Sequence, residues 1–86
     1  MRKKFIFYGK VQGIGFRFRA SRSARKHKIT GWVKNNDDGS VTLATEGSEK
    51  NIENLINYLK NYLQGKIENI EESIEKEEGL KAFEIK

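Results

Sequence analysis

Phe5-Ile6-Phe7-Tyr8-Gly9-Lys10-Val11-Gln12-Gly13-Ile14-Gly15-Phe16-Arg17 is the stretch that decides how this chain is built. Its first four residues are apolar and short in extent, which reads as a buried strand. A run without Gly or Pro follows Phe16, which reads as a helix. Between them lies a loop with glycine at positions 9, 13 and 15. Glycine takes positive φ at little steric cost, so such a loop turns tightly. Successive main-chain N–H groups in that turn converge on a concave nest for an anion. The helix start adds unpaired N–H groups and the positive end of its dipole. Arg17 adds a planar fork that grips a phosphate through two hydrogen bonds. A strand, an anion cradle and a helix are therefore expected, with the backbone of Val11, Gln12, Gly13, Ile14, Gly15, Phe16 and Arg17 forming the cradle.

The remaining elements follow from periodicity. Arg17 to about Lys28 is predicted as the first helix. Phe16, Ala20, Ser23, Ala24 and His27 share one face of it, and the small residues there require close packing. His27 reads as a packed position, because it lies far down the helix from the cradle. Ile29 to Asn35 and Val41 to Glu46 alternate as strands around Asn36-Asp37-Asp38-Gly39, an antiparallel hairpin. Val41 and Leu43 belong to its inward face. Ser48 is the expected N-cap of a second helix, whose stripe is Ile52, Leu55, Ile56, Leu59 and Leu63, with Gly65 ending it. Ile67 to about Lys76 is read as a fourth strand with an acidic, solvated side. Ala82 to Ile85 is read as a short last strand at an edge. Met1 to Lys4 is expected to fray.

The order β-α-β-β-α-β, with a short fifth strand, predicts a ferredoxin-like α+β sandwich of two layers and a mainly antiparallel sheet. At 86 residues, residues 1–86 are expected to form a single domain.

Composition narrows the chemistry. There is no cysteine and only one histidine, His27, so no thiolate nucleophile and no zinc site is expected. No cofactor is expected either. A fold without disulfides suits the cytoplasm, and no apolar run is long enough to span a membrane. The net charge is +5, yet no carboxylate precedes Asp37. The first half is therefore expected to surround the cradle with positive potential, while residues 68–78 are acidic. The Walker loop needs Gly-Lys-Ser/Thr, whereas Phe16-Arg17 follows Gly15 here. The dinucleotide fingerprint needs a glycine where Phe18 stands.

What remains is a backbone cradle, one arginine and nearby amides. Strand two is expected to end beside strand one, which brings Asn35 to the cradle mouth. A carboxamide both donates and accepts, so it can hold a water. Hydrolysis of a phosphate with a good leaving group needs little beyond positioning and charge stabilisation. An acyl phosphate has such a group, since the carboxylate departs without a proton.

These residues resemble a known family. Gly9 to Arg17 resembles the first signature of the acylphosphatases. Gly31-Trp32-Val33-Lys34-Asn35, with Asp38-Gly39-Ser40-Val41 and Glu46-Gly47, resembles the second. Phe83-Glu84-Ile85 resembles the family's closing strand. The resemblance implies a ferredoxin-like fold and metal-independent hydrolysis of small acyl phosphates to a carboxylate and inorganic phosphate, and nothing in the sequence demands more than a monomer. It implies phosphate binding by Arg17 and the loop of residues 11–17, and water positioning by Asn35. Lys28 stands where relatives often have glycine, and Arg19 and Ala20 replace residues commonly aromatic and hydroxyl-bearing. A left-handed lysine at 28 would cost about 1 kcal/mol.

Two other functions remain open at this stage. An RNA-binding module shares the element order, but its third strand carries stacking aromatics, and Val41-Thr42-Leu43-Ala44-Thr45 has none. A catalytically silent anion-binding domain would retain Arg17 and Asn35 misaligned.

Overall fold

The computed structural model describes residues 1–86. Its elements are β1 (Arg2–Gly9), α1 (Phe16–Lys26), β2 (Thr30–Asn35), β3 (Val41–Glu46), α2 (Glu49–Tyr62), β4 (Ile67–Glu75) and β5 (Phe83–Ile85). The five strands form one sheet in the order β4-β1-β3-β2-β5. All neighbours are antiparallel except β2 and β5. This is the expected α+β ferredoxin-like sandwich.

Period-two alternation assigns the strand residues to faces. Phe5, Phe7, Val33, Val41 and Leu43 point to the helix side and are buried there with Ile52, Leu55 and Leu59 of α2. Phe16, at the start of α1, meets Phe7 edge to face, with ring centroids 5.1 Å apart and planes at 74°. Ala20 and Ala24 are fully buried, so α1 lies close against the sheet as its small residues require. Ser48 caps α2, its Oγ accepting from the Asn51 N–H at 3.0 Å.

Several boundaries and placements differ from expectation. The first helix stops at Lys26, not Lys28, and β2 begins at Thr30 rather than Ile29. Lys28 has φ 59, the left-handed conformation in which a Cβ is disfavoured, and it turns the chain from α1 into β2. In β4 the register against β1 slips after Tyr8, so Glu68 is bulged out. The bulge brings Ile67 and Ile70 to the same face, which explains why the sequence alternated poorly there.

The largest correction concerns the amino-terminal segment. It does not fray: β1 starts at Arg2, which pairs with Glu46 of β3 and Glu75 of β4. The Arg2 side chain is buried, and Glu46, Glu75 and Glu78 all accept hydrogen bonds from it. Glu46 also accepts from the main-chain N–H groups of Glu78 and Leu80. Those two residues belong to the connection from β4 to β5, which runs from one sheet edge to the other. Arg2 and Glu46 thus clasp the crossing segment at the sheet end opposite the glycine loop. Local composition gives no hint of this clasp, because its acids, Glu46, Glu75 and Glu78, come from the second half of the chain.

Candidate active site

The loop from Lys10 to Gly15 is held by its apolar residues. Val11 is fully buried, Phe16 nearly so, and Ile14 rests against the same core. Gly13 and Gly15 have φ 75 and 78, and both are exposed. Gly15 is the N-cap of α1 and leaves the helix start without a side-chain cap. No acid lies in the first turn of α1.

The main-chain N–H groups of Val11 to Gly15 donate to no acceptor in the protein. Those of Phe16 to Phe18 have no intrahelical partner, because they form the first turn. A run of main-chain donors without partners in the protein therefore leads up to Arg17.

Each part of the loop is tied to a different part of the chain. The Lys10 N–H donates to the Lys66 carbonyl at 2.9 Å. A side chain at Gly9 would collide with that same carbonyl, so glycine is required beside it. The Gln12 carboxamide donates to the carbonyls of Asn36 and Ser40, at 2.8 and 2.9 Å. Its side chain is therefore committed to the β2–β3 turn, and only its main chain is free for a ligand. The Tyr62 hydroxyl of α2 donates to the Ile14 carbonyl at 3.0 Å. These braces by Gln12 and Tyr62 were missed in the sequence, where both residues look like unremarkable polar positions.

Arg17 sits in the first turn of α1 and is half-buried. Its one hydrogen bond within the protein is from Nη1 to the Lys86 carbonyl, at 3.3 Å. The Lys86 N–H in turn donates to the Val33 carbonyl. That chain of contacts ties Arg17 through Lys86 to Val33 of β2, two residues before Asn35. Asn35 alternates with Val33 and so faces the helix side, and its carboxamide makes no hydrogen bond to the protein.

The strand order around Asn35 differs from expectation. β2 does not end beside β1. β3 lies between them, with Phe7 and Asn35 on either side of Val41. About 10 Å separates the two strands. The Gln12 side chain fastens the loop to the β2–β3 turn, which follows Asn35. The turn is itself rigid: Asn36 Nδ2 donates to Ser40 Oγ and Thr42 Oγ1, and the Ser40 N–H donates to Asp38. Hydrogen bonds from the Ser40 hydroxyl and N–H hold the Asp38 carboxyl below its ordinary pKa.

The charge around the loop is also redistributed. Lys3 and Lys4 join Arg2 in ion pairs, with Glu72 and Glu75, at the far end of the sheet. The positive potential near the loop comes instead from α1. His27 is half-buried, with Nδ1 2.7 Å from the Ser23 carbonyl. No group of three or more His, Cys, Asp or Glu side chains is arranged to hold a metal ion.

With this geometry in hand, comparison with known proteins is decisive. The acylphosphatase family model matches residues 3–85. The chain belongs to the acylphosphatase family. It is 38% identical over 86 residues to an acylphosphatase of Thermococcus kodakarensis, covering 99% of this chain and 94% of that protein. It is 39% identical over 84 residues to one of Bacillus licheniformis, covering 95% and 93%. The crystal structure of the Bacillus subtilis acylphosphatase superposes with a TM-score of 0.90 at 36% identity, covering 98% and 96%. Membership makes the chain an acylphosphatase, an enzyme acting on a small molecule.

Proposed function

We propose that this acylphosphatase cleaves the carboxyl-phosphate bond by direct attack of a water on a phosphoryl group held by Arg17 and the main chain of residues 11–17. The observation that carries this reading is the run of unpaired N–H groups ending on a guanidinium with one carbonyl partner. Three phosphoryl oxygens need several donors, and these supply them without desolvating a carboxylate nearby. Asn35 would hold the attacking water, accepting from it through Oδ1 and leaving a lone pair aimed at phosphorus. The water oxygen bonds to phosphorus as the bond to the acyl oxygen breaks. The electron pair leaves on the carboxylate, and the water proton passes to solvent or to the product phosphate. The transition state is loose, with charge spread over the equatorial oxygens, so fixed donors supply most of the stabilisation. No step is routed through a general acid or a metal.

The same reading makes the protein a cytoplasmic monomer that does not bind nucleic acid. It is supported by the lack of cysteine and by the residues of β3, which offer no aromatic platform for stacked bases. No helix is long and apolar enough to cross a membrane.

The test is hydrolysis of benzoyl phosphate by the wild type, Arg17→Ala and Asn35→Ala. Loss of turnover in both, with weaker inhibition by inorganic phosphate only in Arg17→Ala, is the expected result. Full turnover in Asn35→Ala would remove the water-positioning role. Dialysis against a chelator is expected to leave kcat/KM unchanged.

A further inference from the structure

Away from the loop, a groove of about 430 Å³ runs between α1 and α2. Its lining is Arg19, Arg22, Ser23, Lys26, His27 and Tyr58, with no carboxylate among them. We propose that this groove is a second anion site, distinct from the Arg17 loop, which takes a compact anion bearing two or more phosphoryl groups.

Three observations support it. The first is spacing. Residues 19, 22, 23, 26 and 27 recur at the three- and four-residue intervals of one helix face, so their charges line a single wall. That face repels itself, and α1 contains no acid to offset it. None of Arg19, Arg22 and Lys26 is in an ion pair, whereas Arg2, Lys3 and Lys4 all are. The fold has placed its carboxylates elsewhere and left this wall uncompensated.

The second is preorganisation. The Arg19 guanidinium lies 4.7 Å from the centroid of the Tyr62 ring and donates to the Tyr58 hydroxyl at 3.0 Å. A guanidinium held on an aromatic face presents its remaining N–H groups in a fixed fork. The His27 ring is fixed too, by its Nδ1 hydrogen bond to the Ser23 carbonyl and by the Tyr58 ring, 6.3 Å away. Because a carbonyl only accepts, Nδ1 carries the proton there, and that hydrogen bond fixes the ring in the groove wall.

The third is length. Arg19 and Lys26 are seven residues apart, about 10 Å along the helix axis. A single phosphate engages one end of such a wall, and a short phosphoanhydride chain engages both. Concavity favours a compact anion over a polymer. A free polyphosphate and a nucleotide share this chemistry, and Phe18, exposed beside Arg22, offers a ring to a base only in the second case.

The experiment titrates the intact protein with inorganic tripolyphosphate by calorimetry at low salt, with parallel arms using adenosine triphosphate without metal and a single-stranded oligouridine. Arg22→Gln/Lys26→Gln is expected to weaken tripolyphosphate binding about tenfold, roughly the loss of one to two charge-assisted contacts at an exposed site. Its benzoyl phosphate turnover is expected to match the wild type. In Arg17→Ala, tripolyphosphate binding at the groove is expected to persist within about twofold. Tighter binding of adenosine triphosphate than of tripolyphosphate identifies a nucleotide as the occupant. No binding, binding lost in Arg17→Ala but kept in Arg22→Gln/Lys26→Gln, or tighter binding of oligouridine than of either phosphate would overturn the proposal.

Discussion

Arg2 opens β1 and Arg17 lies beyond its other end, in the first turn of α1, and their surroundings are opposite too. Arg2 is 5% exposed and donates to three carboxylates from three different places. Burial alone would lower its pKa, but the hydrogen bonds to Glu46 and Glu75 and the charge of Glu78 raise it above the ordinary value. Arg17 donates to a single carbonyl. One guanidinium is engaged by three carboxylates, and the other is left with most of its donors to offer. The lesson is that a cation's role is read from what already satisfies it. The same contrast separates the paired lysines of β1 from the unpaired row on α1.

The contrast breaks most visibly by removing each arginine in turn. Arg17→Ala is expected to lower kcat/KM for benzoyl phosphate by about a thousandfold, the scale for losing an aimed transition-state donor. Its thermal unfolding should shift little. Arg2→Ala should do the reverse, lowering stability by about 3 kcal/mol in denaturant titration while turnover per folded molecule stays near wild type. If both variants lose activity and stability alike, the division between the two ends is wrong. Asn35→Ala is expected to cost about a hundredfold in kcat with a smaller change in KM, since it positions water and not substrate.

Acid offers a gentler probe. Hydrogen bonds from the Glu78 and Leu80 N–H groups and from Arg2 hold the Glu46 carboxyl below the 4.5 of an ordinary glutamate. Lys4 and Arg2 do the same for Glu75. Each carboxylate is bound more tightly in the folded state, so its contribution is complete above pH 4.5 and fades as pH falls through the lower folded value. Glu46→Gln should therefore show a flatter fall in stability below pH 4.5, measured by urea titration at several pH values. The smallest effect expected is at the turn after α1. Lys28→Gly relieves a left-handed lysine and should raise stability by about 1 kcal/mol without touching turnover.

Much of this was legible before the structure. The glycine spacing announced the loop, because Gly9, Gly13 and Gly15 all take the positive φ that glycine adopts at little cost. Arg17 stood out as the cation at the loop's end. The helix stripes and the Asp38-Gly39 turn gave the element order, and order fixed the architecture. Three things stayed hidden for physical reasons. The clasp at Arg2 depends on Glu46, Glu75 and Glu78, and no local pattern links residues so far apart. The bulge at Glu68 disguised β4 by breaking its alternation. The place of β3 between β1 and β2 separates Asn35 from the end of β1, and strand order across a sheet is not written in the periodicity of any one strand.

The glycine loop touches the β2–β3 turn through Gln12, the start of β4 through Lys10 and α2 through Tyr62, while Arg17 is steadied by Lys86. Nine consecutive residues thus depend on anchors scattered across the whole length of the polypeptide. A fragment ending before α2 would contain every proposed reacting group and still lack the shape to use them. During refolding, turnover should consequently appear last, after spectroscopic signals of helix and sheet have returned, which makes enzymatic rate a stricter gauge of completed folding than either.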